Sequence, residues 1–247
     1  KLEAERLGEG FLGTEILKMY SAGVVTIEEL KSFYEIYIKD EHVNDKDKNG
    51  LTMIILAVHN NLYNIIEFLS NIPGIELDGS NWSDNPLLFA VMNDDLEMVK
   101  YLLDLKNEDG TYKINVNFMD DKKNPIIFYG FTRYDQTGYD EILKTLLKRE
   151  DIDINLSNDE GNTPLHMACR IESRPSALPG HEIIKILIKK GADKELKNKE
   201  GSSPENIIVE IAQRRKRLKR AAAENPRWFR FPDYYEKIME IMETMDI

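Results

Sequence analysis

Cysteine is almost absent from this chain of 247 residues, which contains Cys169 and no other cysteine. A single cysteine excludes an intramolecular disulfide framework and favours a reducing compartment. No apolar run approaches the ~20 residues that a membrane-spanning helix needs, and no secretory signal peptide is visible. We therefore expect a cytoplasmic protein without a transmembrane segment.

The residue types that bind metals or perform catalysis are also scarce. The four histidines show no spacing with cysteine or acidic residues that fits a metal site. Residues 45–50 superficially resemble a calcium loop, but Leu56 stands where such a loop requires glutamate. Cys169 has no identifiable base or oxyanion donors around it, which favours a packing role. We predict no metal, no cofactor and no catalytic residue in this chain.

The charge is acidic overall but unevenly spread. The chain has 44 acidic and 33 basic residues, for a net charge of −11. This balance argues against nucleic-acid binding and favours a partner with a basic or mixed surface. One run is strongly basic, and it is either a solvated, internally paired helix face or a contact for an acidic partner or anionic lipid. This candidate patch comprises Arg214, Arg215, Lys216, Arg217, Lys219 and Arg220.

The most informative motif occupies residues 161–168, with the sequence Gly-Asn-Thr-Pro-Leu-His-Met-Ala. Gly161 can supply the positive φ of a tight turn. Thr163 can cap a helix with its hydroxyl, and Pro164 suits the first helical position. The pattern Gly-x-Thr-Pro-Leu-His-x-Ala resembles the opening of a unit in the ankyrin-repeat family. In that family the histidine orders the turn by hydrogen bonding, and we expect the same of His166.

Degenerate copies of this motif lie on both sides of it. Their anchors, at spacings of 33, 39, 39 and 40 residues, are Met53, Pro86, Pro125, Pro164 and Pro204. An ankyrin unit has about 33 residues, so most intervals contain insertions. The third and fourth copies have theirs between the two expected helices, and the second has its own near residues 106–110.

The resemblance covers about residues 45–210 and implies an all-α, ankyrin-like helical-repeat solenoid with short finger turns. Since solenoids need atypical end units, we expect a helical N-terminal cap at 1–44 and, at 203–247, a degenerate fifth repeat with a C-terminal helical cap. Residues 45–202 are predicted to hold the start of repeat five and four repeats at about 45–77, 78–116, 117–155 and 156–194. A capping box at Thr26 predicts a helix there, and Pro204 is expected to open a helix ending near Ala223.

The resemblance also implies a protein–protein interaction module without its own catalytic activity. Such a module binds through finger tips, the concave inner-helix face and inserted loops. Trp82 falls at a finger tip, where an exposed tryptophan favours binding; the alternative is that it folds back onto a neighbouring repeat. Loops rich in Tyr, Phe and Arg resemble recognition surfaces, with simple loop drift as the alternative. The candidate partner-binding residues are Asn49, His59, Asn60, Trp82, Met92, Asn93, Asp121, Phe131, Arg133, Tyr134, Tyr139, Glu160, Arg170 and Arg174.

A second hypothesis makes the chain the partner-recruiting arm of a larger enzyme. The chain begins at Lys1 rather than Met, so we expect a fragment whose catalytic domain lies outside it. Intracellular bacteria deliver ankyrin-bearing effectors into host cells, and the Ile-, Lys- and Asn-rich composition is compatible with that origin. The protein would then act in the host cytosol.

Overall fold

The computed structural model of the protein describes residues 9–38, 42–79, 81–132, 139–172 and 180–224, together with Glu240 and Glu243. The chain divides into two compact units, Lys1–Phe118 and Met119–Ile247. In the described part, secondary structure consists of helices and two isolated antiparallel bridges, with no strand. The predicted all-α fold is confirmed. None of the described helices is long and apolar enough to cross a membrane.

The first unit begins with the predicted helical pair. Helix α1 spans Glu9–Ser21, and α2 spans Ile27–Phe33 and continues into a π-helical segment at Tyr34–Ile38. The predicted capping box is confirmed: the Thr26 hydroxyl accepts from the Glu29 N–H, and the Glu29 carboxylate accepts from the Thr26 N–H at 2.7 Å. These reciprocal bonds satisfy two N–H groups at the start of α2.

Two helix pairs follow in the first unit: α3 (Met53–His59) with α4 (Tyr63–Leu69), and α5 (Pro86–Met92) with α6 (Leu96–Asp104). Residues 53–58 are all buried, as expected for a helix that is covered on every side. Pro86 occupies the first turn of α5, and the Asn85 side chain caps that helix by accepting from the Leu88 N–H at 2.8 Å. Two of the predicted anchors, Met53 and Pro86, therefore begin helices.

The second unit contains α7 (Ile127–Thr132), α8 (Tyr139–Leu146), α9 (Pro164–Glu172), α10 (Gly180–Lys189) and α11 (Pro204–Glu224). Pro164 and Pro204 begin helices as predicted. The third anchor does not, because Pro125 forms a bridge with Met119 and the helix starts at Ile127. The apolar residues that α8 and α10 bury, together with Leu147 just after α8, are Ile142, Leu143, Leu146, Leu147, Ile183, Ile184 and Leu187.

The finger segments place alternate apolar residues in the core. Ile114, Val116 and Ile154 are buried, whereas the intervening Asn115 and the following Asn155 are exposed. This is the period-two pattern of an extended segment with one face inward. The extra residues after α6 form a small turn closed by an antiparallel bridge between Lys106 and Tyr112.

The last described helix, α11, is 21 residues long and ends at Glu224, next to its predicted end. Its first half packs through Ile208, Ile211 and Ala212, which are buried. Beyond α11 only Glu240 and Glu243 are described, so the predicted C-terminal cap falls largely outside the described residues. The Glu240 carboxylate accepts a hydrogen bond from Lys185 on α10.

Candidate functional site

The signature motif forms a hydrogen-bonded bridge within the second unit. His166 Nδ1 accepts from the Thr163 backbone N–H at 3.1 Å, so Nε2 carries the proton and donates to the Ser202 carbonyl at 3.0 Å. The side chain is fully buried. Burial lowers the pKa of His166, and the nearby charge of Arg170 lowers it further. The prediction that His166 orders the turn by hydrogen bonding is confirmed, and both ring nitrogens take part in these bonds.

The finger turns share one pattern of side-chain hydrogen bonds. At Asp47, Asp120, Asn158 and Asn198 a side-chain oxygen accepts from the backbone N–H groups two and four residues later. The distances lie between 2.7 and 3.0 Å. Such Asx turns hold the backbone of a finger in one conformation. Asp47 belongs to the segment that resembles a calcium loop, and its carboxylate stabilises a turn of this kind.

An aromatic cluster lies on the surface of the first unit, formed by His59, Trp82 and Phe89. Trp82 has 48% of its surface exposed, and its ring centroid is 6.3 Å from that of Phe89 with the planes at 30°. His59, the last residue of α3, meets the other side of Phe89 edge-on at 5.9 Å. Trp82 therefore rests on a residue of its own repeat and still presents an aromatic surface to solvent.

A cavity of about 190 Å³ opens beside this cluster, lined by Val58, His59, Phe89, Ala90, Asn93 and Asp95. Asn93 and Asn60 are exposed at the ends of their helices, and each donates from its side-chain amide to a carbonyl of the preceding turn, at 2.9 and 2.7 Å. Met92 is half-buried and Asn49 is exposed. The structure thus brings the predicted His59, Asn93 and Trp82 together around Phe89, which the sequence did not single out.

A second cleft, of about 310 Å³, lies in the second unit between α9 and α11. Arg170 of α9 reaches into it and binds the Glu200 carboxylate at 3.3 Å. Two isoleucines of α11, Ile207 and Ile211, form its apolar side, and Arg214 lies at its edge. The predicted finger-tip residues Asp121 and Glu160 are exposed elsewhere in this unit.

One predicted binding residue is corrected by the structure. Phe131 is only 2% exposed, because residues 130–132 continue α7 and direct this ring into the core. Arg133, Tyr134 and Arg174 lie outside the described residues, as does the side chain of Tyr139, the first residue of α8. The inserted loops therefore remain predicted recognition surfaces without Phe131.

The basic run lies in the second half of α11. Arg214, Lys216 and Arg217 are exposed, while the side chains of Arg215, Lys219 and Arg220 lie outside the described part. Cys169 is buried on α9, as expected for a packing residue. Among the described residues, no group of three or more His, Cys, Asp or Glu side chains is placed to hold a metal ion.

Comparison with known proteins identifies the family. Ankyrin repeats (3 copies) match residues 22–120 and 112–198. The chain belongs to the ankyrin-repeat family. Its members generally act as protein–protein interaction modules, and the fold is typically non-catalytic. The matched region begins inside the predicted N-terminal cap and includes the helix α2.

Three curated relatives share 27–28% identity with this ankyrin-repeat chain. It is 27% identical over 180 residues to the putative ankyrin repeat protein YahD of Escherichia coli K12, covering 69% of this chain and 81% of that protein. It is 28% identical over 168 residues to the ANK repeat-containing protein nipk-1 of Caenorhabditis elegans, covering 61% of this chain and 26% of that protein. A probable serine/threonine-protein kinase of Dictyostelium discoideum is 28% identical over 119 residues, 48% of this chain and 13% of the kinase. The chain thus spans a small part of the latter two proteins.

A solved structure confirms the fold independently. An ankyrin repeat domain from Acinetobacter baumannii AYE matches with a TM-score of 0.57 at 17% identity, over 91% of this chain and 96% of that one. Since the identity is low, this likeness shows the shared helical-repeat fold alone.

Proposed function

We propose that this ankyrin-repeat chain binds a partner protein through the aromatic cluster of its first unit, His59, Trp82 and Phe89. The observation that carries the proposal is the 48% exposure of Trp82 on top of Phe89. Tryptophan and tyrosine supply large contact areas at small entropic cost, and a few such residues dominate the energy of most interfaces. The contact of Trp82 with Phe89, a residue of its own repeat, argues against the alternative that Trp82 folds back onto a neighbouring repeat.

The polar residues around the cluster suit the rim of a binding surface. Asn60 and Asn93 use their side-chain amides to satisfy helix-end carbonyls. In the described part of the chain, neither carboxamide oxygen accepts a hydrogen bond, so both can accept one from a partner backbone. An aromatic centre with a polar rim is the usual anatomy of a protein interface. The net charge of −11 favours a partner with a basic or mixed surface, by long-range attraction.

The test compares two exposed aromatic residues of the first unit. Partners are captured from a cell lysate with the wild-type chain, and the affinity of the purified partner is then measured by calorimetry for Trp82→Ala and Tyr112→Ala. Tyr112 is 36% exposed on the turn after α6, where it packs under Lys106 rather than in the cluster. A hot-spot residue contributes about 2 kcal/mol or more, which is roughly a 30-fold loss of affinity.

We expect that loss for Trp82→Ala and an unchanged affinity for Tyr112→Ala. Equal affinities for wild type and Trp82→Ala would refute the role of the cluster. Equal losses for both variants would show that the partner does not select this surface.

The partner-recruiting arm of a larger enzyme is the second candidate. It is favoured by the match to a probable kinase of which this chain covers 13%. Both candidates use the same cluster and a cytoplasmic setting, which a chain with one buried cysteine and no disulfide fits. The sequence of the gene on both sides of this segment distinguishes them: a flanking catalytic domain supports the recruiting arm, and its absence leaves the interaction module alone.

A further inference from the structure

We infer that the second unit has a separate binding site for an acidic polypeptide segment, formed by the cleft between α9 and α11 and the basic turns that follow it. The site uses no residue of the aromatic cluster. It is therefore independent of the function proposed above, and the two can be tested separately.

The residues that line the cleft change from apolar to basic along α11. Near the finger, Ile207 and Ile211 form an apolar wall, and Arg170 is already bound by Glu200 at 3.3 Å. Glu210 lies one turn before Arg214 and faces the same cleft. Past Arg214 the helix surface is basic, with Lys216 and Arg217 exposed. A ligand lying along α11 would meet apolar contact first and positive charge next.

The cations at the basic end are available for a ligand. In the part of the chain that the structure describes, neither Arg214, Lys216 nor Arg217 has an ion pair or a hydrogen bond. Other helices differ, since Lys18, Lys100 and Lys144 each bind a glutamate three residues earlier at 2.7–2.9 Å. Among the described residues, these three cations thus have no carboxylate partner, in a chain whose net charge is −11.

Like charges also repel one another along this helix. Arg214 and Arg217 are three residues apart on α11. Residues at this spacing are neighbours on a helix surface, and a like-charged pair destabilises the helix. Bound carboxylates would relieve this repulsion, so the ligand and the helix would stabilise each other.

The chemistry of the surface favours a polypeptide over a membrane or a nucleic acid. At 100° per residue, Arg214, Lys216 and Arg217 fall on different sides of α11, so the described side chains of this half of the helix form no apolar stripe that could enter a bilayer. The carboxylates of Glu200 and Glu210 beside the cleft would repel a phosphate backbone, which is charged along its whole length, whereas a peptide can place an uncharged residue there. A segment with one apolar side chain followed by acids fits both ends, placing the apolar group on Ile207 and Ile211 and the acids on Arg214 and Arg217. Glu240 is committed elsewhere, to Lys185 on α10.

The test measures binding of a synthetic, fluorescently labelled peptide with one leucine followed by four glutamates, using fluorescence anisotropy with the full chain. We expect saturable binding that weakens as salt rises, because the charges are exposed. The double variant Arg214→Glu/Arg217→Glu should lose at least tenfold in affinity, and Ile207→Ala should lose several-fold. Lys100→Glu, a charge reversal on α6, and Trp82→Ala should both bind as the wild type does.

Circular dichroism checks that each variant remains helical, and the double variant should do so because arginine and glutamate have similar helix propensities. Unchanged binding by that folded double variant, or no binding at millimolar peptide, would overturn the proposal. Phosphatidylserine vesicles and duplex DNA serve as competing probes. Tighter binding of either one than of the peptide would also overturn it, in favour of a phosphate-bearing ligand.

Discussion

Replacing Gly161 with alanine tests how closely two neighbouring fingers of the second unit pack. Gly161 has φ = +76°, a conformation that costs a residue with a Cβ about 1–2 kcal/mol. A Cβ at this position would lie 3.1 Å from Asn198 Cα and 3.2 Å from the Lys199 nitrogen, whereas carbon atoms prefer about 3.5–4.0 Å. Both neighbours are backbone atoms, so no side-chain rotation relieves the contact.

The next finger must therefore move, and two hydrogen bonds move with it. The Lys199 N–H donates to the Glu160 carbonyl at 2.9 Å, and the Asn198 side chain donates to the Asn162 side chain at 2.9 Å. Each such bond contributes about 1 kcal/mol. When the cost of the positive φ is added to the loss of both hydrogen bonds, we expect Gly161→Ala to lower the free energy of unfolding by roughly 3–4 kcal/mol.

Gly191→Ala is the matched control. Gly191 also has a left-handed φ, +87°, but among the described residues nothing lies within 4 Å of the added Cβ. The free energy of unfolding of this variant should fall by only about 1–2 kcal/mol. Urea denaturation followed by far-UV circular dichroism measures both. Equal losses for the two variants would refute the reasoning, because the contact between the fingers would then contribute nothing.

Three further predictions concern stability and use the same assay. Thr52→Val should raise the free energy of unfolding by about 1 kcal/mol, since the buried Thr52 hydroxyl has no partner in the described part of the chain; a loss would show that the hydroxyl is satisfied. Phe131→Ala should lower the free energy of unfolding by roughly 3–5 kcal/mol, whereas the same substitution in an exposed loop would hardly change it. The lowered pKa of His166 means that the unfolded chain takes up its proton first, so stability should fall as the pH drops below about 6.5. His166→Gln, which does not titrate, should remove that part of the pH dependence.

The fourth repeat was predictable in detail because its signals are local. A glycine with positive φ, a threonine at the cap and a proline in the first turn each act within a few residues, and Gly161, Thr163 and Pro164 lie where the motif places them. The inter-repeat partner of His166, the Ser202 carbonyl, lies 36 residues away. The family resemblance implied that His166 forms hydrogen bonds, but it did not identify this acceptor.

The third repeat shows where local signals fail. Phe131 was predicted to bind a partner as part of the inserted residues between the two helices, yet residues 130–132 belong to α7. Gly130 lies against Leu143 of α8, at a place with no room for a Cβ, so close helix packing rather than turn formation explains this glycine. The aromatic Phe131 is buried for the same reason. Composition does not distinguish an aromatic residue at a helix end from one in a recognition loop.

The candidate sites divide in the same way. Trp82 stood out in the sequence because it occupies a finger position that is polar elsewhere. Phe89 did not, since an aromatic residue among the apolar residues of α5 looks like core. Its contact with His59 depends on how two repeats pack, and its contact with Trp82 depends on how the finger of its own repeat lies against α5. The basic run was visible as charge, but the absence of described ion pairs at Arg214, Lys216 and Arg217 is a property of the folded surface.

By itself, the sequence determined the family, the helical repeats and the position of the best-preserved repeat, because turn geometry, capping and apolar periodicity act over a few residues. Tertiary structure decided which aromatic side chains reach solvent, which finger contacts tolerate no Cβ and which cations lack a carboxylate. Each of those properties depends on residues that are distant in the chain and meet only when neighbouring repeats stack. The motif therefore identifies the scaffold, whereas the surfaces that choose a partner are set by the packing of one repeat on the next.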